Sequence, residues 1–279
     1  MMGLPPVMGG KHGFPASRRW LCRGGWRAGA RLLAALLASG PALAQVLISP
    51  VVVEVGTRQR VAAVTVTLSD KASVPMRLQA EILRWRQDVQ GASVTAPSDD
   101  LLVSPPIADL QPGDKQVFRV ALRGPRPSPE ELAYRLILEN VAKPVAAAAA
   151  SSPGMIIKFR MRYDLPVLVA PASPVVNALR WKPCEPNAAS TRVKPVAPRT
   201  VDVCLRMLNA GNRRVKVQTL TLAGDGWSQA LTLKDGETLL AGTEREWRVP
   251  MAANQTRALR GVQVLTASGE TLQAEAGVF

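Results

Sequence analysis

Few side chains in this sequence could act as a nucleophile, a general base or a metal ligand. The 279 residues include one histidine, His12, and three cysteines. Serine and cysteine nucleophiles rely mostly on an imidazole base, and zinc sites on clustered His, Cys and carboxylates. Adjacent carboxylates occur at Asp99-Asp100 and Glu130-Glu131, where loop caps or turns are the expected role. We therefore predict no catalytic residues, no cofactor and no metal ion.

The first 44 residues are typical of a secretory signal peptide. A basic segment precedes the apolar run Leu32–Leu37, and Ala42-Leu43-Ala44 before Gln45 has the small-x-small pattern of a cleavage site. The apolar run is much shorter than the roughly 20 residues that span a bilayer. We predict that residues 1–44 are removed, that the mature chain begins at Gln45 without membrane insertion, and that His12 is lost with the signal.

The charge of the predicted mature chain is moderate. From Gln45 onward the sequence has 29 Lys and Arg against 21 Asp and Glu, a formal net charge of +8 compared with +14 for the whole chain. The cations are scattered along strands, as at Arg84 and Arg86, whereas nucleic-acid proteins cluster them on one element with stacking aromatics. We predict no nucleic-acid partner, and attraction to acidic protein partners instead.

Cysteine usage agrees with export. Cys22 lies in the predicted signal, which leaves Cys184 and Cys204 as a pair in an oxidising compartment. A disulfide between them would stabilise the fold by about 3 kcal/mol on the chain-entropy model. Cys204 alternates with the polar Asp202 and Arg206, so we predict that the disulfide lies near a surface or an edge.

The mature chain reads as short β-patterned runs separated by turn signals. Seven or so such runs between Gln45 and Ala170 predict an immunoglobulin-like sandwich. In Val46–Val55, Pro50 indicates an edge strand or a strand that switches between sheets. The segment Ala170–Pro174 is typical of a hinge, and shorter strands follow it. The prediction is all-β: two immunoglobulin-like β-sandwich domains in tandem, at 45–170 and 171–279.

The segment Met155–Pro171 shows the clearest period of two in the chain. Large apolar residues alternate with Ile156, Lys158, Arg160 and Arg162, which puts one apolar row and three cations on opposite faces of a strand. This pattern fits the half-buried strand of an ordinary sandwich, or an apolar row that is lent to a partner protein. The apolar row consists of Met155, Ile157, Phe159 and Met161.

The order of segments resembles the PapD-like periplasmic pilus chaperones of the chaperone–usher pathway. The matching segments are ISPVVVEV, DLLVSPPIADLQPGDKQVFRV, YRLILENV and MIIKFRMRYDLPVLVAP, followed in the second half by LNAGNRRVKVQTLTL and TLLAGTEREWRVP. The resemblance covers essentially all of Gln45 to Phe279. The Ser-Pro near the mature start and the Leu-Pro-Val at the end of the long strand are closest to the archaic, spore-coat-U-associated branch.

This resemblance implies a periplasmic chaperone that acts by donor-strand complementation. Such a chaperone adds its own strand to a pilin subunit that lacks one, and an outer-membrane usher later exchanges that strand for another subunit's extension. The lent strand would lie within 155–169, with Met155, Ile157, Phe159 and Met161 filling the subunit groove. An exposed apolar row also invites a self-capping dimer in the free state, and the sequence leaves that open.

The chain departs from the family at the charges that bind the subunit's C-terminal carboxylate. The family uses an Arg on the first strand and a Lys near the end of the donor strand, but no cation lies between Gln45 and Arg58, and Asp164 and Pro166 occupy the region of the lysine. Arg135 and Arg162 are the candidate replacements. Asn140 and Ala170 stand where interdomain charges are often found, which puts the rigidity of the hinge in question.

Two further interpretations stay open at this level. The chain could be a structural or adhesive β-sandwich surface protein, although a pilin would need a missing strand and an apolar N-terminal extension. The valines of the first strand, Val51, Val53 and Val55, could flank the subunit groove or belong only to the core.

Overall fold

The computed structural model describes residues 45–124, 128–141, 160–184, 200–252 and 259–279. The predicted signal peptide and residues 155–159 of the predicted donor strand lie outside these ranges, and with them Met155, Ile157 and Phe159 of the apolar row. All regular secondary structure in the described residues is β-strand, which confirms the all-β prediction. A search of the same residues for a helix long and apolar enough to cross a membrane finds none.

The N-terminal half of the described chain contains ten strands. They are β1 (Val46–Ser49), β2 (Val53–Val55), β3 (Val61–Leu68), β4 (Met76–Gln87), β5 (Ser93–Pro97), β6 (Leu101–Ser104), β7 (Ile107–Leu110), β8 (Lys115–Leu122), β9 (Leu132–Asn140) and β10 (Arg162–Val169). One sheet has the order β1-β3-β8-β6, and the other has the order β2-β10-β9-β4-β5 with β7 beside β4.

The first strand region passes from one sheet to the other at Pro50, which is one of the two alternatives that its sequence left open. Before Pro50, β1 pairs antiparallel with β3 in the first sheet. After it, β2 pairs parallel with β10 in the second sheet, with Val53 opposite Val167. Because proline cannot donate to a strand ladder, its place between two pairings costs neither sheet a hydrogen bond.

The two N-terminal sheets enclose one core. Alternate residues of each strand point inward, and the fully buried ones come from both layers, including Val64 and Phe118 from one sheet and Leu78 and Leu136 from the other. Burying each such side chain contributes about 1.5–3 kcal/mol before ordering costs. The strand period of two therefore produces the predicted sandwich directly.

The C-terminal half contains seven strands in one sheet that folds over on itself. They are β11 (Leu179–Pro183), β12 (Thr200–Asn209), β13 (Val215–Gly224), β14 (Trp227–Leu239), β15 (Glu244–Ala252), β16 (Leu259–Thr266) and β17 (Thr271–Ala276), in the order β14-β13-β16-β17-β11-β12-β15. Buried residues from both ends of this order, such as Leu220 and Trp247, share one core. The second β-sandwich is thus confirmed.

The predicted disulfide is present between Cys184 and Cys204. It joins the end of β11 to β12, and both cysteines are partly exposed, as the alternation with polar neighbours predicts. The Cys184 N–H also donates to the Cys204 carbonyl at 3.1 Å, so the backbone ladder holds the two residues together beside the covalent bond.

A polar clasp ties the two N-terminal sheets together at one end. The hydroxyl of the fully buried Tyr134, on β9, donates to Asp100 Oδ2 at 2.8 Å, and Arg84 Nη1 donates to the same hydroxyl at 2.9 Å. The bond from Tyr134 is the main cause that lowers the pKa of Asp100, while burial and then the Asp100 bond raise the pKa of Tyr134. Asp100, expected to be a turn residue, thus also links β6 to the opposite sheet.

We predict that Asp100→Asn lowers the free energy of unfolding by about 1 kcal/mol at neutral pH, a modest value because the carboxylate is 43% exposed. A carboxyl group whose pKa is lower in the folded than in the unfolded chain stabilises the fold at pH values above its unfolded pKa of about 3.9. This contribution is lost as the pH falls through the pKa of the folded state. The difference in free energy of unfolding between the wild type and Asp100→Asn, measured by urea unfolding, should therefore become smaller below about pH 4.

The neighbouring variant Asp99→Asn is the matched control. The Asp99 side chain is fully exposed and pairs only loosely with Arg123, at 3.5 Å, so we expect unchanged stability. Equal losses in the two variants, or an Asp100→Asn difference that stays constant down to pH 2, would contradict the role given to the clasp.

Candidate functional site

Strand β10 is paired on both sides along only part of its length. On one side it pairs with β9 throughout, from Arg162 opposite Glu139 to Val169 opposite Leu132. On the other side β2 covers only Val167–Val169. None of the described strands pairs with that second side of 162–166, which we call the open edge of β10.

Backbone geometry shows which groups face the open edge. The Asn140 N–H donates to the Met161 carbonyl at 2.8 Å, so Met161 faces β9, and the Ala170 N–H donates to Val55 of β2 at 3.0 Å. In an antiparallel ladder, the N–H and C=O of one residue point to the same side, and successive residues alternate. Arg162 and Asp164 therefore present their backbone groups to the open edge, as does Pro166, which has no N–H to leave unpaired.

The side chains of β10 alternate between the core and the outer face, and this alternation continues to Met161, just before the strand begins. Leu165 and Val167 are buried and Tyr163 packs against the same core, where burial raises the pKa of its hydroxyl. Met161 has the same phase but is 48% exposed. The apolar row therefore leaves the core at Met161. The period of two predicts that Met155, Ile157 and Phe159 extend it, and these three lie outside the described residues.

The valines of the first strand divide between two environments. Val53 and Val55 are buried in the core, whereas Val51 and Val52 are 63% and 42% exposed. Because β2 runs parallel to β10, the residues before Val53 lie toward the part of β10 that has lost its partner. Val53 and Val55 are thus core residues, and Val51 and Val52 lie at the start of the open edge.

Arg135, the first candidate anchor, lies on the outer face of β9 in a crowded setting. Its guanidinium lies 3.7 Å from the centre of the Trp85 ring, and its Nη atoms contact Asp164 at 3.4 Å and Ser93 at 3.1 Å. Burial lowers the pKa of Arg135, and Asp164 opposes that shift. The Nε atom of Arg135 and the Nε1 atom of Trp85 are buried and have no hydrogen-bond partner among the described residues.

Arg162, the second candidate, is exposed on the same outer face. It stands directly opposite Glu139 in the ladder, but the ion pair of Glu139 is with Arg160, at 3.3 Å. Arg162 makes no ion pair among the described residues. Of the two candidates, Arg162 has the guanidinium that is available to a new partner.

The outer face that carries both arginines meets the C-terminal sandwich at its far end. Trp85, Ala133 and Leu168 of that face form a small buried cluster with Leu240 of the second sandwich. The side-chain N–H of Gln87 donates to the Thr238 carbonyl at 2.8 Å, and the Gln87 Oε1 atom accepts from the Leu240 N–H at 3.0 Å. Arg135 and Arg162 thus line the face that continues outward from the contact between the sandwiches.

The hinge has a charge cluster that the sequence reasoning missed. Glu131 binds the guanidinium of Arg214 and lies 3.9 Å from Arg213, and its side chain is only 4% exposed. Arg214 also binds Glu54 of β2. The expectation that Glu130-Glu131 serves only as a turn or cap is therefore wrong for Glu131. The adjacent cations Arg213 and Arg214, which directly follow the turn residues Asn209-Ala210-Gly211-Asn212, were the signal that could have indicated a partner for it.

Further hydrogen bonds at the hinge come from Asn212. Its side-chain amide donates to the Ser173 hydroxyl at 2.9 Å and the Pro174 carbonyl at 2.8 Å, and its Oδ1 accepts from the Val176 N–H at 2.8 Å. These bonds hold residues 173–176 as a loop. The apolar pattern of the sequence starts at Val175, but β11 begins only at Leu179. Polar contacts between the two sandwiches therefore include those of Asn212, Glu131 and Arg214.

The N-terminal sandwich matches a known protein family. Residues 46–174 match the family model described as pili and flagellar-assembly chaperone, PapD N-terminal domain. This part of the chain is therefore similar to the PapD N-terminal domain. The match includes β1 to β10 and the hinge, so the resemblance predicted from the sequence is confirmed there. No curated protein matches the sequence significantly.

Solved structures share the fold over both sandwiches. A chain of the CsuC–CsuE chaperone–tip adhesion subunit pre-assembly complex, from archaic chaperone–usher Csu pili of Acinetobacter baumannii, matches with a TM-score of 0.57 and 16% identity, covering 84% of this chain and 100% of its own. The class 5 fimbriae chaperone CfaA matches with a TM-score of 0.55 and 14% identity, covering 84% and 100%. At these identities the likeness establishes the fold alone.

We predict that Glu131→Gln destabilises the chain by about 3 kcal/mol, because it leaves the Arg214 guanidinium without its most buried partner. The matched control is Glu54→Gln, since Glu54 binds the same arginine but is 55% exposed, and we expect it to cost under about 1 kcal/mol. Both values can be measured by urea unfolding. Equal costs, or a larger cost for Glu54→Gln, would contradict the role given to Glu131 at the hinge.

Proposed function

We propose that this chain is a periplasmic chaperone of pilus assembly that binds pilin subunits by donor-strand complementation. The observation that carries the proposal is the open edge of β10. On one side it offers backbone groups of Arg162 and Asp164 that none of the described strands pairs with, together with an apolar row that leaves the core at Met161. A subunit that lacks a strand could take up both, with backbone bonds giving affinity and apolar side chains filling its groove.

The donor strand in this proposal extends from Met155 through the described start of β10. Met155, Ile157, Phe159 and Met161 would enter the subunit groove, and the two methionines would suit grooves of differing shape because their side chains adapt. Val51 and Val52 would flank the inserted subunit strand. The role calls for backbone pairing and apolar burial, and no step of it needs a catalytic group or a cofactor.

The family match at 46–174 supports the wider setting of the proposal. The signal-like segment 1–44 would deliver the chain to the periplasm, the domains would divide at the hinge 170–174, and an outer-membrane usher would receive the loaded subunit. The Ser49-Pro50 and Leu165-Pro166-Val167 patterns favour the archaic branch. In the free state, two copies could cap each other's open edges.

Arg135 and Arg162 are proposed as the anchors of the subunit's C-terminal carboxylate. Both lie on the face that runs outward from the contact with the second sandwich, and a carboxylate entering a partly buried cleft needs charge-assisted hydrogen bonds. Arg162 can accept this role without losing an ion pair. Arg135 would have to exchange Asp164 for the incoming carboxylate.

We predict that Met161→Asp abolishes capture of a pilin subunit, because a carboxylate would enter an apolar groove. Met161 is half-exposed, so the variant should still fold. The measurement is periplasmic co-purification with a tagged chain. Phe159→Asp tests the same row in its central part.

The matched control for this experiment is Val94→Asp. Val94 is equally exposed, at 50%, and lies on β5 at the other edge of the same sheet. We expect one-to-one co-elution with the wild type and Val94→Asp, and loss with Met161→Asp. Equal capture by all three chains would show that the row at Met161 is ordinary surface and would contradict donor-strand binding.

For the anchor, we predict that Arg162→Ala weakens subunit binding by about tenfold or more, the effect of losing one hydrogen bond to a charged group. Arg160→Ala, an exposed neighbour on the same face, should leave affinity nearly unchanged. A subunit with its last residues removed should lose the difference between wild type and Arg162→Ala. Full affinity in both Arg162→Ala and Arg135→Ala would rule out both anchors.

A further inference from the structure

Trp85 lies on the outer face of the N-terminal sandwich, outside the main core of that sandwich. The residue is 7% exposed and belongs to a small buried cluster with Ala133, Leu168 and Leu240. Leu240 comes from the second sandwich, so the indole ring lies where the two sandwiches meet. Its Nε1 atom has no hydrogen-bond partner among the described residues. Packing, and not hydrogen bonding within the described chain, therefore accounts for the position of the ring.

The same ring contacts the guanidinium of Arg135. The central carbon of the guanidinium lies 3.7 Å from the centre of the ring, well inside the limit of about 6 Å for attraction between a cation and an aromatic face. In the ladder Arg135 stands between Leu83 of β4 and Pro166 of β10, and neither of these neighbours has a charge. The side chain of Arg135 is therefore held by the ring and by its polar contacts with Asp164 and Ser93.

The ring is the most buried of these three contacts. The Asp164 side chain is 45% exposed and lies 3.4 Å from the guanidinium, and Ser93 is exposed on the edge strand β5. Water screens exposed ion pairs and hydrogen bonds, so they constrain a long side chain weakly. A cation on an aromatic face is held more strongly when the pair is shielded from water. The contact with Trp85 therefore contributes most to the fixed position of the guanidinium.

We propose that Trp85 is the positioning residue of the Arg135 anchor and holds its guanidinium in place before a subunit binds. The inference rests on the proposed function, in which Arg135 binds the C-terminal carboxylate of the subunit. A long side chain that is held in advance loses less freedom on binding than one that the ligand must order. A ring on the flat face of a guanidinium also leaves the N–H donors, which lie in its plane, free to point at a carboxylate.

The position of the guanidinium can be measured without a subunit. In the mature chain labelled with isotope-enriched arginine, the Nε–H signal of Arg135 is assigned by its loss in Arg135→Ala. In the wild type it should have the upfield NMR shift of a group that lies over an aromatic ring. We expect Trp85→Phe to keep this shift, because it keeps an aromatic face, and Trp85→Leu to lose it. Trp85→Met, which fills more of the cluster, gives the same test if Trp85→Leu does not fold.

The matched control is Trp247→Leu in the second sandwich. Trp247 is similarly buried, at 5% exposed, and the guanidinium of Arg245 lies 5.4 Å from its ring centre. This variant loses an equally large buried ring, but the Arg135 signal should not change. An upfield Arg135 shift that survives in Trp85→Leu and Trp85→Met, or that is lost equally in Trp247→Leu, would overturn the proposal.

Subunit affinity then separates the positioning role of Trp85 from the anchor role of Arg135. For a pilin subunit obtained by co-purification, Trp85→Leu should weaken binding by about 2–10-fold, the effect of ordering one long side chain on binding, and Trp85→Phe should bind nearly as the wild type does. In an Arg135→Ala background, Trp85→Leu should cause no further loss, because the side chain on which it acts is gone. A further loss of the same size in that background would overturn the proposal. Full affinity in Arg135→Ala alone would instead contradict the anchor role of Arg135, and the NMR shift would still decide whether Trp85 positions it.

Discussion

Backbone hydrogen bonding along β10 is the constraint on which the rest of the structure depends. A strand inside a sheet must pair on both sides, and an edge strand leaves one row of N–H and C=O groups to water or to another chain. Here β2 covers the C-terminal end of β10 and then gives way at Pro50, where the chain crosses to the other sheet. The same crossing that closes the sandwich at Val53–Val55 leaves β10 open at 162–166.

The two sandwiches have different parts in this arrangement. The N-terminal one supplies the open edge, and its rigidity comes from a two-sheet core and from the clasp at Tyr134. The C-terminal one is held against it by Leu240, by Gln87 and by the ion pairs of Glu131. These contacts lie at one end of the face that carries Arg135 and Arg162.

The local sequence pattern predicted the strands and the two sandwiches. It did not predict which residues far apart in the sequence contact one another. Alternation predicted the strands, and the polar neighbours of Cys204 predicted a disulfide near the surface. Pro50 predicted either an edge strand or a switch between sheets, and the structure has the switch. The alternation along β4 could not predict the environment of Trp85. Its side chain lies on the face of β4 opposite the N-terminal core, where it packs against Ala133, Leu168 and Leu240. There is no bulge at this point, since the pairing of β4 shows no shift in register.

Ion pairing was the least predictable feature. Glu131 and Arg214 are 83 residues apart, and no local period links them. Arg135 looked like a free cation on a strand face, yet its partners come from β4, β5 and β10. The row Met155, Ile157, Phe159 and Met161 stays a prediction from its period, with Met161 as the described residue in which that period continues.

Amide hydrogen exchange of β10, in the free chain and in complex with a captured subunit, would test the open edge most directly. The account predicts that the amides of Arg162 and Asp164, which point away from β9, exchange fast in the free chain and become protected in the complex. The amides of Tyr163 and Leu165, which point toward β9, should be protected in both. Protection of Arg162 and Asp164 that is already complete in the free chain, or unchanged by the subunit, would contradict it.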